Sequence, residues 1–303
     1  MGMSDADRAA LLRRAVAPPS DAETERLERA ERMIRSAVRG HTAFAGLDLS
    51  VEAKGSYANN TNVRYDSDVD IKVQLNDRVV HAYHPKLSHW SWRLNNHYRG
   101  PWTATRLRQE LGAALNTAFG AIDATRNVAF YIPEVAGSRP SADVVPCFAY
   151  RQYRDANASQ WDEGSIVHTR DGGNIVNWPA QQLVNGRDKN KRTNRRYKFA
   201  VRALKYVEND LARRGVINEL PSYFMECLIY NVPDAVLMGD SLDASFRGAI
   251  AHLRGEVHMI WGNWRGMLEP NEMKKVFQDG QKWKIRDARQ LLDAAWHHLN
   301  YGS

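Results

Sequence analysis

Gly55-Ser56-Tyr57-Ala58-Asn59-Asn60-Thr61-Asn62-Val63-Arg64-Tyr65-Asp66-Ser67-Asp68-Val69-Asp70-Ile71-Lys72-Val73-Gln74-Leu75 runs from a glycine turn into a strand that carries two acids. Val69, Ile71, Val73 and Leu75 alternate with polar residues, the period of a half-buried strand. Alternate side chains of a strand share a face, so the apolar four turn to a core and Asp68 and Asp70 point together to the other side. Two carboxylates about 5 Å apart repel by about 3 kcal/mol at an effective dielectric near 20. A divalent cation is the usual compensation. The alternative is an exposed strand face, where Asp-x-Asp arises by chance. Asp66 falls outside the alternating run and reads as a turn or cap residue.

Upstream, Gly55-Ser56 ends another alternating segment, Leu47, Leu49, Val51 and Ala53, and opens a polar turn or short helix. Glycine lets backbone N–H groups approach a phosphate closely, and the serine adds a hydroxyl donor. By itself Gly-Ser is a plain turn. Downstream, Ser141-Ala142-Asp143-Val144-Val145 places an acid in an apolar strand, where Asp is disfavoured. Gly-Ser, Asp-h-Asp and a distant h-Asp-h together form the signature of the polymerase-β-like nucleotidyltransferases. Three carboxylates can hold two Mg²⁺ ions roughly 3.5–4 Å apart, with Mn²⁺ as a substitute.

Around this core the pattern is α+β. Asp21 to Arg39 reads as a helix after a Pro-Pro-Ser-Asp start signal, and Ala104 to Phe119 as another. His81 to Trp102 is an irregular Trp- and His-rich excursion, with His81, His84 and His89 as surface residues. Strands are expected between Asn127 and Tyr150 and near Ile166 and Ile175. Helices follow at about 188–214, 222–231, 242–256 and 287–299. The expected architecture is a polymerase-β-like nucleotidyltransferase sheet lobe (1–186, with an N-terminal helix) packed on a helical lobe (187–303), the active site in the cleft.

The bulk numbers exclude little. No stretch approaches the roughly 18 apolar residues needed to cross a bilayer. Two separate cysteines, with no CxxC, fit a reducing cytoplasm. A net charge of +7 suits an anionic partner or a solvated basic surface equally. Lys191, Arg195, Lys198, Arg202 and Lys205 recur at helical spacing as one basic stripe, for which a solvated face is the default reading. Ser222 sits where a helix cap is expected, and Tyr223 beside it could serve the core.

These residues resemble a known family. Gly55-Ser56, Asp68-Val69-Asp70, Asp143, Ala203-Leu204-Lys205 and Pro221-Ser222-Tyr223 stand in the order found in oligoadenylate synthetase and cyclic GMP-AMP synthase relatives. The segments from Gly55 to Asn76, Ala142 to Tyr153, Ile175 to Pro179 and Pro221 to Asp234 look like the clade E bacterial CD-NTases, or cGAS/DncV-like nucleotidyltransferases. The resemblance implies metal ligation by Asp68, Asp70 and Asp143. It implies donor-triphosphate contacts from Gly55, Ser56, Lys205 and Ser222, and base stacking on Tyr223. Asn177 matches the position where pyrimidine-using members carry a base-facing Asn. Its carboxamide offers both a donor and an acceptor, and the plainer reading is a turn residue before Pro179.

The resemblance thus implies a Mg²⁺-dependent synthase of a cyclic dinucleotide, cyclic UMP-AMP or cyclic di-UMP, made from NTPs to activate a downstream effector in antiphage defence. The zinc-ligand cluster of cyclic GMP-AMP synthase is missing, which speaks against activation by nucleic acid. Clade relatives also suggest modification of the C-terminus by a ubiquitin-transferase-like partner. Two other readings stay open: a nucleotidyltransferase making linear oligonucleotides or purine-only cyclic products, and a basic nucleic-acid-binding module.

Overall fold

The computed structural model describes residues 3–17, 20–61, 69–87 and 98–302. They fall into two compact units. Residues 20–57 and 67–179 build a sheet unit, and residues 1–19, 58–66 and 180–303 build a helical one.

In the sheet unit, Ser20 and Glu23 form a reciprocal capping box that starts helix α2 (Asp21–Arg39). Leu27, Ala30, Ile34 and Val38 of α2 are buried at i, i+3, i+4 spacing. The sheet has the order β1 (Leu49–Lys54), β2 (Val69–Ala82), β4 (Ala142–Tyr153), β5 (Trp161–His168), β6 (Asn174–Asn177), with β3 (Phe130–Ile132) paired to β4. β2 and β4 run parallel, which requires a crossover. That crossover carries helix α4 (Ala104–Phe119), started by the Thr103 hydroxyl on the Arg106 N–H. Leu107, Leu111 and Leu115 of α4 meet Val69, Ile71, Val73 and Leu75 in one core with Val144 and Phe148. The four alternating residues of β2 are fully buried, as their period predicts. The β-prone stretch 127–150 is interrupted around Pro133 and Pro140, the breaks its sequence offers: β3 ends at Ile132 and β4 starts at Ala142.

The helical unit contains α1 (Asp5–Val16), α5 (Pro179–Arg192), α6 (Arg196–Arg213), α7 (Ser222–Tyr230), α8 (Asp234–Leu237), α9 (Leu242–His258) and α10 (Ile285–His298). Its core gathers Tyr197, Val201, Leu204, Phe224, Leu228, Phe246, Leu253 and Leu292. Two expectations change here. Leu12 and Ala15 of α1 lie in this core, so the N-terminal residues join the helices and not the sheet. The helix expected at 188–214 is two helices. Asn194 (φ 45°) and Arg195 (φ 68°) adopt left-handed backbone and break it. Thr193 supports the break: its hydroxyl donates to the Lys189 carbonyl and accepts the Tyr197 N–H. Among the described residues no helix is long and apolar enough to cross a membrane.

Candidate active site

Parallel pairing of β2 and β4 sets Asp70 directly opposite Asp143. Adjacent strands lie about 4.8 Å apart, so the two carboxylates stand side by side on one face of the sheet. Their core-facing neighbours Val69, Ile71, Ala142 and Val144 are buried on the other face. Both acids keep partial access to solvent, 43% for the Asp70 side chain and 30% for Asp143. Asp68 lies outside the described residues, as does Asp66.

Each acid meets a cation. Lys54, in register with Asp70 from β1, brings its Nζ to 3.9 Å of Oδ1. Arg126 places Nη1 2.9 Å from Asp143 Oδ1, with its guanidinium 4.0 Å from the Tyr131 ring centroid. Nothing in the periodicity marks Arg126, because it belongs to the loop before β3.

Gly55 begins the short helix α3 (Gly55–Ala58) with φ +67°. A Cβ there would lie 2.5 Å from Asp70 Oδ2, so only glycine leaves the space beside that carboxylate open. The donor set fits Mg²⁺, which takes hard oxygen ligands from one or two carboxylates and keeps the rest for water and phosphate. Among the described residues no three potential metal ligands converge, the third expected carboxylate being Asp68.

The sheet register also places Asn177. It is paired with Ser165 on β5, which faces Ala149 on β4, six residues and three full pleats from Asp143. Asn177 therefore lies on the carboxylate face, exposed at the end of edge strand β6.

In the helical unit the basic stripe is split: Lys191 and Arg195 are exposed, as a solvated face would be, while its C-terminal members are buried. Lys191 and Arg195 precede the start of α6, while Arg202 and Lys205 are 5% and 1% exposed. Lys205 Nζ lies 3.5 Å from Thr61 Oγ1. Burial holds the Lys198 amine below its usual range. Ser222 is the first residue of α7; Pro221 is its cap, with no side-chain hydrogen bond. Tyr223 donates its hydroxyl to Glu269 Oε2 at 3.1 Å and stands edge-on to Trp283. His81, Tyr83 and Tyr153 form a triangle of near-parallel rings with centroids 5.7, 5.9 and 5.5 Å apart, so His81 is part of an aromatic cluster rather than a lone surface histidine. His84 is described outside that cluster, and His89 lies outside the described residues.

Residues 184–300 match the family model for the cGAS/DncV-like nucleotidyltransferase C-terminal helical domain. The cyclic dipyrimidine nucleotide synthase CdnE of Legionella pneumophila is 36% identical over 284 residues, covering 93% of this chain and 94% of that protein. A cyclic dipurine nucleotide synthase of Elizabethkingia meningoseptica is 29% identical over 94% of this chain and 95% of its own length. Among solved structures, the Rhodothermus marinus CdnE c-UMP-AMP synthase with Apcpp and Upnpp superposes with a TM-score of 0.81 at 27% identity, over 97% of this chain and 98% of that one.

Proposed function

Because the chain belongs to the CdnE cyclic dinucleotide synthases of the cGAS/DncV-like nucleotidyltransferase family, we propose that it makes a pyrimidine-containing cyclic dinucleotide from NTPs. The observation that carries the chemistry is the in-register pair Asp70 and Asp143 beside the open space at Gly55. In the proposed reaction a ribose hydroxyl oxygen bonds to an α-phosphorus, the α–β bridging P–O bond breaks, and pyrophosphate leaves. The hydroxyl proton passes to solvent water in the same step. A second transfer of the same kind closes the ring.

Asp68, Asp70 and Asp143 are the proposed ligands of two Mg²⁺ ions. When bound, such ions neutralise the triphosphate and make the attacking hydroxyl more acidic. Gly55 and Ser56 offer a backbone N–H and a hydroxyl to phosphate oxygens. Lys205 and Ser222 are assigned to the triphosphate and Tyr223 to the base, on the strength of the family resemblance. The product would act on a cyclic-nucleotide-activated effector, and the C-terminus remains a candidate for modification by a ubiquitin-transferase-like partner.

Base choice divides the relatives, which include both a dipyrimidine and a dipurine synthase. Asn177 supports the pyrimidine reading, since a fixed carboxamide pairs with the O4 and N3–H edge of uracil. Incubation with all four labelled NTPs and Mg²⁺, followed by nuclease mapping, tests both levels of the proposal. A linear product would refute ring closure, and a purine-only cycle would refute the base assignment. Asn177→Ser is expected to raise the adenine share of the product about three- to tenfold, the worth of one neutral hydrogen bond. An unchanged base ratio would leave Asn177 as a turn residue.

A further inference from the structure

Glu226 is out of place by its sequence. It interrupts Phe224-Met225-Glu226-Cys227-Leu228-Ile229, the most apolar run of the helical unit, and is 2% exposed. A buried carboxylate is costly unless its oxygens are satisfied. Both are. Oε1 accepts Asn59 Nδ2 at 2.8 Å and Gln182 Nε2 at 3.2 Å, and Oε2 accepts the Thr61 hydroxyl at 3.4 Å. The Lys205 ammonium stands at the same Thr61 oxygen.

Between those two anchors, Asn60 takes left-handed backbone (φ 51°) and its carbonyl accepts from Arg202 Nη1 at 2.8 Å. Three consecutive residues of a polar turn are thus each held by a buried charged side chain from α6 or α7. Asn59 and Thr61 are themselves 2% and 0% exposed. The turn begins three residues after Ser56, with only Tyr57 and Ala58 between. Replacing buried ion pairs by apolar groups commonly leaves a protein as stable as before, so stability alone is a poor reason for this cluster.

We propose that Glu226 is a positioning residue: by seating the Asn59–Thr61 turn against α6 and α7, it fixes through the short α3 connection where the Gly55-Ser56 backbone presents itself to a nucleotide phosphate. This rests on the nucleotidyltransferase reading given above. The basic residues of the stripe acquire a use in it, for Arg202 and Lys205 hold the segment next to the phosphate motif. Gln182 supplies the internal control. It shares the Glu226 carboxylate but donates no bond to the turn among those that hold it.

The test is calorimetric binding of a non-hydrolysable ATP analogue with Mg²⁺, together with thermal melting, for wild type, E226Q, T61V and Q182L. The carboxamide introduced by E226Q cannot accept from Asn59 and Thr61 on both of its ends, and it removes the charge facing Lys205. E226Q and T61V are expected to raise Kd about tenfold or more, the effect of losing a charge-assisted bond, while Q182L stays within about twofold. If E226Q and T61V melt as folded proteins and bind like wild type, the proposal is wrong. It is equally wrong if Q182L weakens binding as much as E226Q, since the cluster would then be helix packing only. Should E226Q fail to fold, T61V decides the question with the carboxylate still in place. Wild type that neither binds the analogue nor converts NTPs overturns the functional reading and this proposal together, whereas normal synthesis with unaffected variants overturns the proposal alone.

Discussion

The space beside Asp70 exists because residue 55 has no side chain. Gly55→Ala would place a Cβ 2.5 Å from Asp70 Oδ2 and force alanine into left-handed backbone. The backbone strain costs about 1–3 kcal/mol. The displaced carboxylate should cost far more in turnover, so the variant is expected to fold yet lose at least about a hundredfold in kcat/KM, as displaced catalytic groups do. Circular dichroism and a product assay on the same preparation check this. Asp68→Ala, Asp70→Ala and Asp143→Ala should each abolish synthesis. Asp143→Ala removes an exposed ion pair with Arg126, so its stability should stay within about 1 kcal/mol of wild type. A turnover near normal in any of the three would remove that residue from the site. At this scale Asp70 and Asp143 were readable, since an acid between apolar strand neighbours breaks a local pattern. Arg126 was not: it sits in a loop, where no period constrains the side chain.

Elements with a strong local period were equally legible. α2, α4 and α7 appear near their expected limits because each repeats its apolar residues often enough to define a face, whereas β2 starts where expected but runs on to Ala82, past the alternating run that marked it. The break between α5 and α6 was hidden, since Thr193-Asn194-Arg195 contains neither glycine nor proline and depends on one threonine hydroxyl. The burial of Lys205 and Arg202 was hidden for another reason: their partners Thr61 and Asn60 lie more than 140 residues away in the chain. At the junction of α5 and α8, Asp234 accepts from Lys189 and Arg192, both at 2.8 Å. Burial pushes this carboxyl upward, but the two hydrogen bonds outweigh it and hold it below its ordinary 3.8. A depressed carboxylate stabilises the fold fully above the unfolded value and loses that contribution as pH falls through the folded one. Urea melts of wild type and Asp234→Asn should therefore differ by about 1 kcal/mol near neutrality and converge below pH 3.8. A constant gap across that range would show that the pair carries no linked proton.

For the whole molecule, the chain keeps separate apolar cores in its sheet and helical units, and each unit holds one of the two cysteines out of solvent. Cys147 is 2% exposed and burial pushes its thiol up to about 12; Cys227 is fully buried and raised well above its usual value. The thiolate is the reactive form, so both should be inert in the folded protein. Titration with Ellman's reagent near neutral pH is expected to find fewer than one reactive thiol per native chain and both after denaturation in guanidinium. Fast reaction of two thiols in the native protein would contradict the packing around both. The consequence is spectroscopic. A cysteine at Val135 on the sheet unit and another at Val184 on the helical unit, 49% and 53% exposed in the native side chains, would take spin labels over a silent background. Spectra of those labels, with and without NTP, would then report what nucleotide does at each site by itself, in a protein whose own cysteines need not be removed first.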